Sequence, residues 1–112
     1  MSHCPRIIVI EQAGCYFALG EDGRNFCAPD RNVDVLAGNL AEAVRDYVNG
    51  RKTQSSLKKS SRLEIYFKDR NGKVLFSVKK DHRSGKTSIC LREEEPTQGQ
   101  ARIFYNAFLK SN

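Results

Sequence analysis

An alternating hairpin pattern in the second half of the chain constrains the fold more than any other feature. Polar and apolar residues alternate strictly along 62–68, as they do in a strand that buries one face. A second strand is predicted at 73–79, and the Asn71-Gly72 pair between them is typical of tight hairpin turns. A third strand at 86–92 and a terminal helix follow. The second half is therefore predicted to be β-β-β-α.

The first half has a similar predicted order. Residues 5–11 are rich in Ile and Val and favour a strand, and 15–19 favour a second. A short third strand is predicted at 25–28. Apolar residues then recur at helical spacing along 33–48, with Gly50 in the usual position after a helix end. A capping-box pattern at Asn39 predicts that the firm part of this helix begins at Leu40.

We expect one α+β domain over residues 1–112, in which an antiparallel sheet carries two helices on one face. The halves would be 5–50 and 62–110, joined by a basic, serine-rich linker at 51–61. The β-β-β-α order, present twice, is consistent with an internal repeat. The same order also arises in α+β proteins without duplication, and the sequence does not separate these alternatives.

Positive charge is concentrated in the second half. The net charge of the 112-residue chain is +6. Residues 1–50 hold four basic and seven acidic residues, whereas residues 51–112 hold fifteen basic and six acidic ones. This uneven distribution of charge favours a polyanionic partner for one face, although a solvated basic surface would have the same composition.

Several classes of protein are not expected. The longest apolar run, Ile7–Ile10, is too short to span a membrane, and no secretion signal is visible. The four cysteines form no CxxC pair, and their even number would permit disulfides, but because no secretion signal is visible we expect reduced thiols in a cytoplasmic or nuclear protein. Gly85-Lys86-Thr87 resembles part of a phosphate-binding loop, but Lys80 stands where that loop needs glycine. No enzyme, metal site or cofactor is predicted.

Alternation assigns the side chains of the second half to two faces. The predicted core face carries eight apolar side chains and one threonine: Leu63, Ile65, Phe67, Val74, Phe76, Val78, Thr87, Ile89 and Leu91. Six of the twelve residues on the opposite face are Lys or Arg. The twelve residues of that face are Arg62, Glu64, Tyr66, Lys68, Lys73, Leu75, Ser77, Lys79, Lys86, Ser88, Cys90 and Arg92. Lys and Arg neutralise phosphates, and a tyrosine ring stacks on unpaired bases. A solvated outer face of a half-buried sheet has a similar composition.

The segments 66–80 and 85–91, followed by a helix, resemble the positive-cofactor type of single-stranded-DNA-binding transcriptional coactivator. The resemblance covers about residues 62–110, and the related PUR and Whirly folds pair two sheet-plus-helix repeats. That family has four strands before the helix, whereas three are predicted here. The resemblance implies that a bound strand of DNA would contact basic and aromatic residues of the sheet and its loops: Tyr66, Lys68, Arg70, Lys73, Lys79 and Lys86. The segment 36–110 also resembles the small Alu-domain subunits of the signal recognition particle, which bind RNA as a heterodimer.

The predicted function is sequence-tolerant binding of single-stranded DNA or RNA, in transcription or another form of nucleic-acid regulation, by a homodimer. The predicted contact residues are Arg62, Tyr66, Lys68, Arg70, Lys73, Lys79, Arg83, Lys86 and Arg92. The alternative is a small protein-binding module or inhibitor that meets an acidic partner. It would use the basic face or the terminal helix, which is apolar over more than one stripe.

Overall fold

The computed structural model describes residues 4–51, 60, 62–69, 71–81, 83, 86–91 and 98–109. This described part of the chain is α+β, with five strands and two helices, which confirms the predicted fold class. The strands are β1 (Arg6–Gln12), β2 (Cys15–Leu19), β3 (Arg62–Lys68), β4 (Val74–Asp81) and β5 (Thr87–Leu91). Helix α1 (Val33–Val48) follows β2, and helix α2 (Gln98–Leu109) follows β5.

The strands form one mixed sheet in the order β2-β1-β3-β4-β5. Three neighbouring pairs are antiparallel, but β1 and β3 run parallel. These two strands are joined through β2 and α1, and a crossover that contains a helix can return the chain in the same direction. The prediction of a wholly antiparallel sheet is therefore wrong.

The first half contributes two strands, not three. Residue Asn25 forms an isolated bridge with Leu19, and the Phe26 amide donates a hydrogen bond of 2.7 Å to the Ala18 carbonyl. This contact runs beside β2 without extending into a strand, so the prediction of a strand at 25–28 is wrong. Within the described residues the first half is β-β-α and the second is β-β-β-α, so the element order does not repeat.

One face of the sheet forms the core with both helices. The strands contribute Ile7, Val9, Ala18, Leu63, Ile65, Phe67, Phe76 and Val78, all buried. The helices contribute Leu36, Ala37, Leu40, Ala41, Ala43, Val44, Tyr47, Ala101 and Phe104 to the same cluster. The two helices thus pack on one face, as the sequence predicts. Stacking of Phe67 on Phe76, with ring centroids 5.0 Å apart, and the edge contact of Phe67 with Phe104 join the sheet to α2.

A β-bulge near the start of β4 changes which side chains reach the core. Phe67 pairs with Phe76, but Lys68 pairs with Val74, so Leu75 is an extra residue on β4. Val74 consequently shares a face with Lys68, away from the helices, whereas Leu75 packs against the core. The predicted faces of Val74 and Leu75 are therefore reversed.

β4 also continues further than predicted, through Lys80 to Asp81. Lys80 pairs with Leu63 and therefore lies on the core side of the sheet, where it is buried. Burial lowers the pKa of its ammonium group, because the charged form is poorly solvated there. Lys80, one residue beyond the predicted end of the strand at 79, is therefore part of the sheet.

Helix α1 begins at Val33, seven residues before the predicted firm start. The Asn32 side chain caps it by accepting a hydrogen bond of 2.8 Å from the Asp34 amide. The first turns hold because Leu36 and Ala37 are buried, which offsets the weak helix preference of Gly38. At the other end Gly50 has a φ of 73° and its amide donates to the Tyr47 carbonyl, so the predicted helix end is confirmed.

Candidate functional site

The sheet face opposite the helices is the candidate site, and it is called the open face below. Within the described part of the chain, both helices pack on the other side. Strand register arranges the side chains of the open face in rows that cross the sheet, because directly paired residues share a face. The charged row holds Arg6, Glu64 and Lys79 on adjacent strands. The neighbouring row holds Leu19, Ile8 and Tyr66.

Glu64 lies between two cations in the charged row. Its Oε2 is 3.9 Å from Arg6 Nε, and its Oε1 is 3.8 Å from Lys79 Nζ. The Glu64 side chain is 19% exposed, against 64% for Arg6 and 60% for Lys79. One shielded carboxylate thus holds two cations that extend into solvent, and the face is less positive than a count of its lysines and arginines suggests.

Tyr66 is held in a fixed orientation beside this row. Its hydroxyl donates a hydrogen bond to Glu64 Oε2, two residues earlier on the same strand. The ring must therefore lean along β3, and Arg6 Cζ lies 5.7 Å from its centroid. The hydrogen bond to Glu64, then burial and the charge of Glu64, raise the pKa of Tyr66. The ring is thus neutral at physiological pH and oriented before any ligand arrives.

The structure places the predicted site residues in two groups. Arg62, Tyr66, Lys68 and Lys79 belong to strands of the open face, whereas three others lie in exposed connections at its rim: Lys73, Arg83 and Lys86. Arg70 and Arg92 lie outside the described residues. Arg62 Nε is 3.8 Å from Asp81 Oδ2, so a third cation of the open face, after Arg6 and Lys79, has an acidic partner.

Two depressions lie at opposite ends of β3. The first, of about 290 Å³, is lined by residues that include Arg62, Lys79 and Lys86. The second, of about 530 Å³, lies between the β1–β2 and β3–β4 turns and is lined in part by Ile10 and Lys68. Four of the predicted cations thus border concave surface, and Tyr66 lies on the strand that connects the two depressions.

Alternation in the second half alone misses part of the open face. Arg6 joins the charged row, and four apolar side chains of β1 and β2 share this face: Ile8, Ile10, Phe17 and Leu19. The sequence does carry a signal for them, since the run Ile7–Ile10 has no polar residue at alternate positions. A continuous apolar run is typical of strands that are covered on both faces.

The described ranges hold neither a cluster of metal-ligating side chains nor a helix suited to crossing a membrane. No group of three or more His, Cys, Asp or Glu side chains there could hold a metal ion. None of the helices in the same ranges has the length and apolar character needed to cross a membrane.

Comparison with protein-family models, with curated proteins and with solved structures gives no match to this chain. The resemblance to the positive-cofactor, PUR and Whirly proteins therefore stays a prediction from residues 62–110.

The cysteines provide a test of the described geometry. Cys90 is exposed on the open face, whereas Cys27 is buried and burial raises its pKa to about 12. Alkylation requires the thiolate, so iodoacetamide at about pH 8 should modify Cys90 and leave Cys27 unmodified until denaturant is added. Mass spectrometry of peptides from native and denatured protein measures both sites. Equal modification of both cysteines in native protein would contradict the described packing.

Proposed function

We propose that the open face binds single-stranded nucleic acid without strong sequence preference. One observation carries the proposal: a sheet face with cations at both ends of β3 holds an oriented tyrosine between them. The cations would contact phosphates along a strand, and the Tyr66 ring would stack on a base. Regulation of transcription or of RNA remains the proposed biological setting.

The arrangement favours a single strand over a duplex. A base can stack on Tyr66 only when its face is free, and bases in a duplex stack on their neighbours. Lys68 and Lys79 are long side chains that can adjust to the variable phosphate spacing of a flexible strand. Duplex DNA would use the same cations but would gain nothing from the ring.

Homodimerisation is part of the proposal. β5 is the last strand in the sheet order, and an edge strand offers unpaired backbone groups to a second copy. Pairing there would extend the sheet and place two open faces side by side. Light scattering after size-exclusion chromatography, at several concentrations, tests for the dimer.

Fluorescence anisotropy with labelled oligonucleotides tests the proposed function directly. We expect a single strand to bind more tightly than a duplex of equal length, with an affinity that falls steeply as salt rises from about 50 mM to about 200 mM. Bound strand should also slow the alkylation of Cys90, which lies on the open face, without affecting Cys27. Absence of binding at the lower salt concentration would refute the proposal.

Neutralising Glu64 should increase the affinity. Glu64→Gln would release Arg6 and Lys79 from their shared carboxylate while keeping an oxygen that can accept from Tyr66. We expect single strands to bind about tenfold more tightly. The slope of log affinity against log salt concentration should be steeper by about 0.7, since the released Arg6 adds one phosphate contact to those that Lys79 and the other cations already make. Glu42→Gln, on an exposed position of α1, is the matched control and should change neither quantity. Unchanged affinity in a folded Glu64→Gln variant would contradict the role given to Glu64.

A further inference from the structure

Strand β1 is apolar on both of its faces. Ile7 and Val9 are fully buried in the core, and the alternate residues Ile8 and Ile10 lie on the open face. A strand that faces water on one side normally has polar residues at every second position. The apolar side chains on the open face therefore indicate a surface that something covers during function.

The apolar surface extends over β2. Ile8 pairs with Leu19 and Ile10 pairs with Phe17, so all four side chains lie on the same face. Ile8 also pairs with Tyr66 on its other side, which makes the surface continuous with the proposed stacking site. Phe17 lies two strands from Tyr66 and two residues further along, beside Ile10, which separates their Cα atoms by roughly 12 Å. The two rings can therefore contact different bases of one nucleic-acid strand.

We propose that Ile8, Ile10, Phe17 and Leu19 form a base-binding platform that extends the stacking site of Tyr66 across β1 and β2. This inference rests on the proposed function, because it assigns the occupant of the apolar surface as nucleobases of the bound strand. Nucleobases present flat faces that pack on aliphatic and aromatic side chains irrespective of their sequence.

Charge identifies the occupant. The platform is bordered by Arg6 in the charged row and by Lys68, which follows Tyr66 on the open face of β3. Arg6 shares the Glu64 carboxylate but its side chain is 64% exposed, and an occupant that combines apolar faces with negative charge, as a nucleotide does, fits this border. A second copy packed face to face would instead bring the same cations of two chains together, at a cost in electrostatic repulsion.

The depression between the two hairpin turns agrees with this assignment. Its lining includes the apolar Ile10, the cationic Lys68 and the acidic Glu11 and Asp69, and its volume is about 530 Å³. The Asp69 carboxylate accepts hydrogen bonds from the Asn71 and Lys73 amides, which partly offset its charge. A base that packs on Ile10 would place its own phosphate within reach of the Lys68 ammonium. The platform and the cations therefore belong to one continuous surface.

Oligonucleotides without bases provide the first test. The probes are single-stranded oligo-dT of about 15 nucleotides and an abasic deoxyribose-phosphate strand of equal length, both measured by anisotropy. We expect wild-type protein to bind oligo-dT at least about tenfold more tightly than the abasic strand, because only oligo-dT offers bases to the platform. Both probes should show the same salt dependence, because their phosphates are identical. The preference should persist in Tyr66→Ala, since the platform would still contact bases. A preference that disappears with Tyr66→Ala overturns the platform and leaves the proposed function intact.

Variants of the platform provide the second test. Ile8→Thr with Phe17→Thr keeps residues that favour strands but removes apolar surface. We expect at least about tenfold weaker binding of oligo-dT and unchanged binding of the abasic strand. Val35→Thr, at an apolar position that is 45% exposed on α1, is the matched control and should change neither.

The outcomes separate the two proposals. If wild-type protein binds neither probe, the proposed function fails. If it binds both probes equally, the platform and the stacking of Tyr66 are both refuted, and only phosphate binding by the open face stands. If the double variant keeps its full affinity for oligo-dT, the function stands and the platform is refuted. If the double variant converts a wild-type dimer into a monomer, the apolar surface belongs to a second copy and the platform is likewise refuted.

Discussion

Reversing the charge of Lys68 and Lys79 together is expected to weaken binding of single strands by about 100-fold or more. Each side chain contributes a charge-assisted contact to phosphate, and such contacts are worth about 1.5–3 kcal/mol each. The slope of log affinity against log salt concentration should also become shallower by about 1.4, because two phosphate contacts are lost. Lys68→Glu/Lys79→Glu is therefore compared with wild type by anisotropy over a range of salt concentrations.

The control must change the total charge equally without touching the open face. Arg45 on α1 and Arg102 on α2 are exposed cations on helices that pack against the other side of the sheet. Arg45→Glu/Arg102→Glu should reduce binding only slightly, through the weaker overall attraction between protein and strand. Equal losses in the two double variants would mean that net charge, and not the open face, controls binding. Urea unfolding of each variant verifies that it is folded.

The local parts of the fold could be predicted from the sequence. The strand β3, the Asn71-Gly72 turn and the helix α2 depend on patterns within a few residues, and each is present in the structure. The open-face positions of Tyr66 and Lys79 follow from alternation along a single strand. Such predictions succeed because side-chain direction in a strand is set by a period of two.

The parts that failed depend on pairing between distant segments. The parallel contact of β1 with β3 joins Arg6 to Glu64, and no local pattern specifies that register. The Arg6–Glu64–Lys79 row could therefore not be predicted, and neither could its partial neutralisation of the face. The bulge at Leu75 reverses two side chains, because one extra residue shifts the alternation of everything before it.

The apolar part of the open face is a different case, since its signal was present in the sequence. The run Ile7–Ile10 has no polar residue at alternate positions, and this signal does not depend on which strand pairs with it. A strand with apolar residues at both odd and even positions has apolar side chains on both faces, which is typical of strands that are covered on both sides. The helices cover only the face that bears Ile7 and Val9, which is why the other face attracts a functional interpretation.

Truncating Phe76 is expected to lower the free energy of unfolding by about 3–5 kcal/mol. Phe76 is buried, and its ring centroid lies 5.0 Å from that of Phe67 and 5.9 Å from that of Phe104. Phe76→Ala therefore leaves a cavity where the sheet meets α2. Natural domains are stable by about 5–15 kcal/mol, so the loss is a large part of the total. Urea unfolding measures it, with Val35→Ala as an exposed control that should change stability little. A loss below about 1 kcal/mol would contradict the packing around Phe76.

The same variant separates stability from binding. Phe76 lies on the core face, whereas Lys68, Lys79 and Tyr66 lie on the open face of the same sheet. Folded Phe76→Ala protein should therefore bind single strands with wild-type affinity, although it unfolds at lower urea concentration. Lys68→Glu/Lys79→Glu should behave in the opposite way: affinity is lost, whereas stability falls by at most about 1 kcal/mol, the cost of a second carboxylate opposite Glu64. The two variants should thus affect stability and affinity separately, because the sheet uses one face for its core and the other for its ligand. A comparable loss of both properties in either variant would contradict that division.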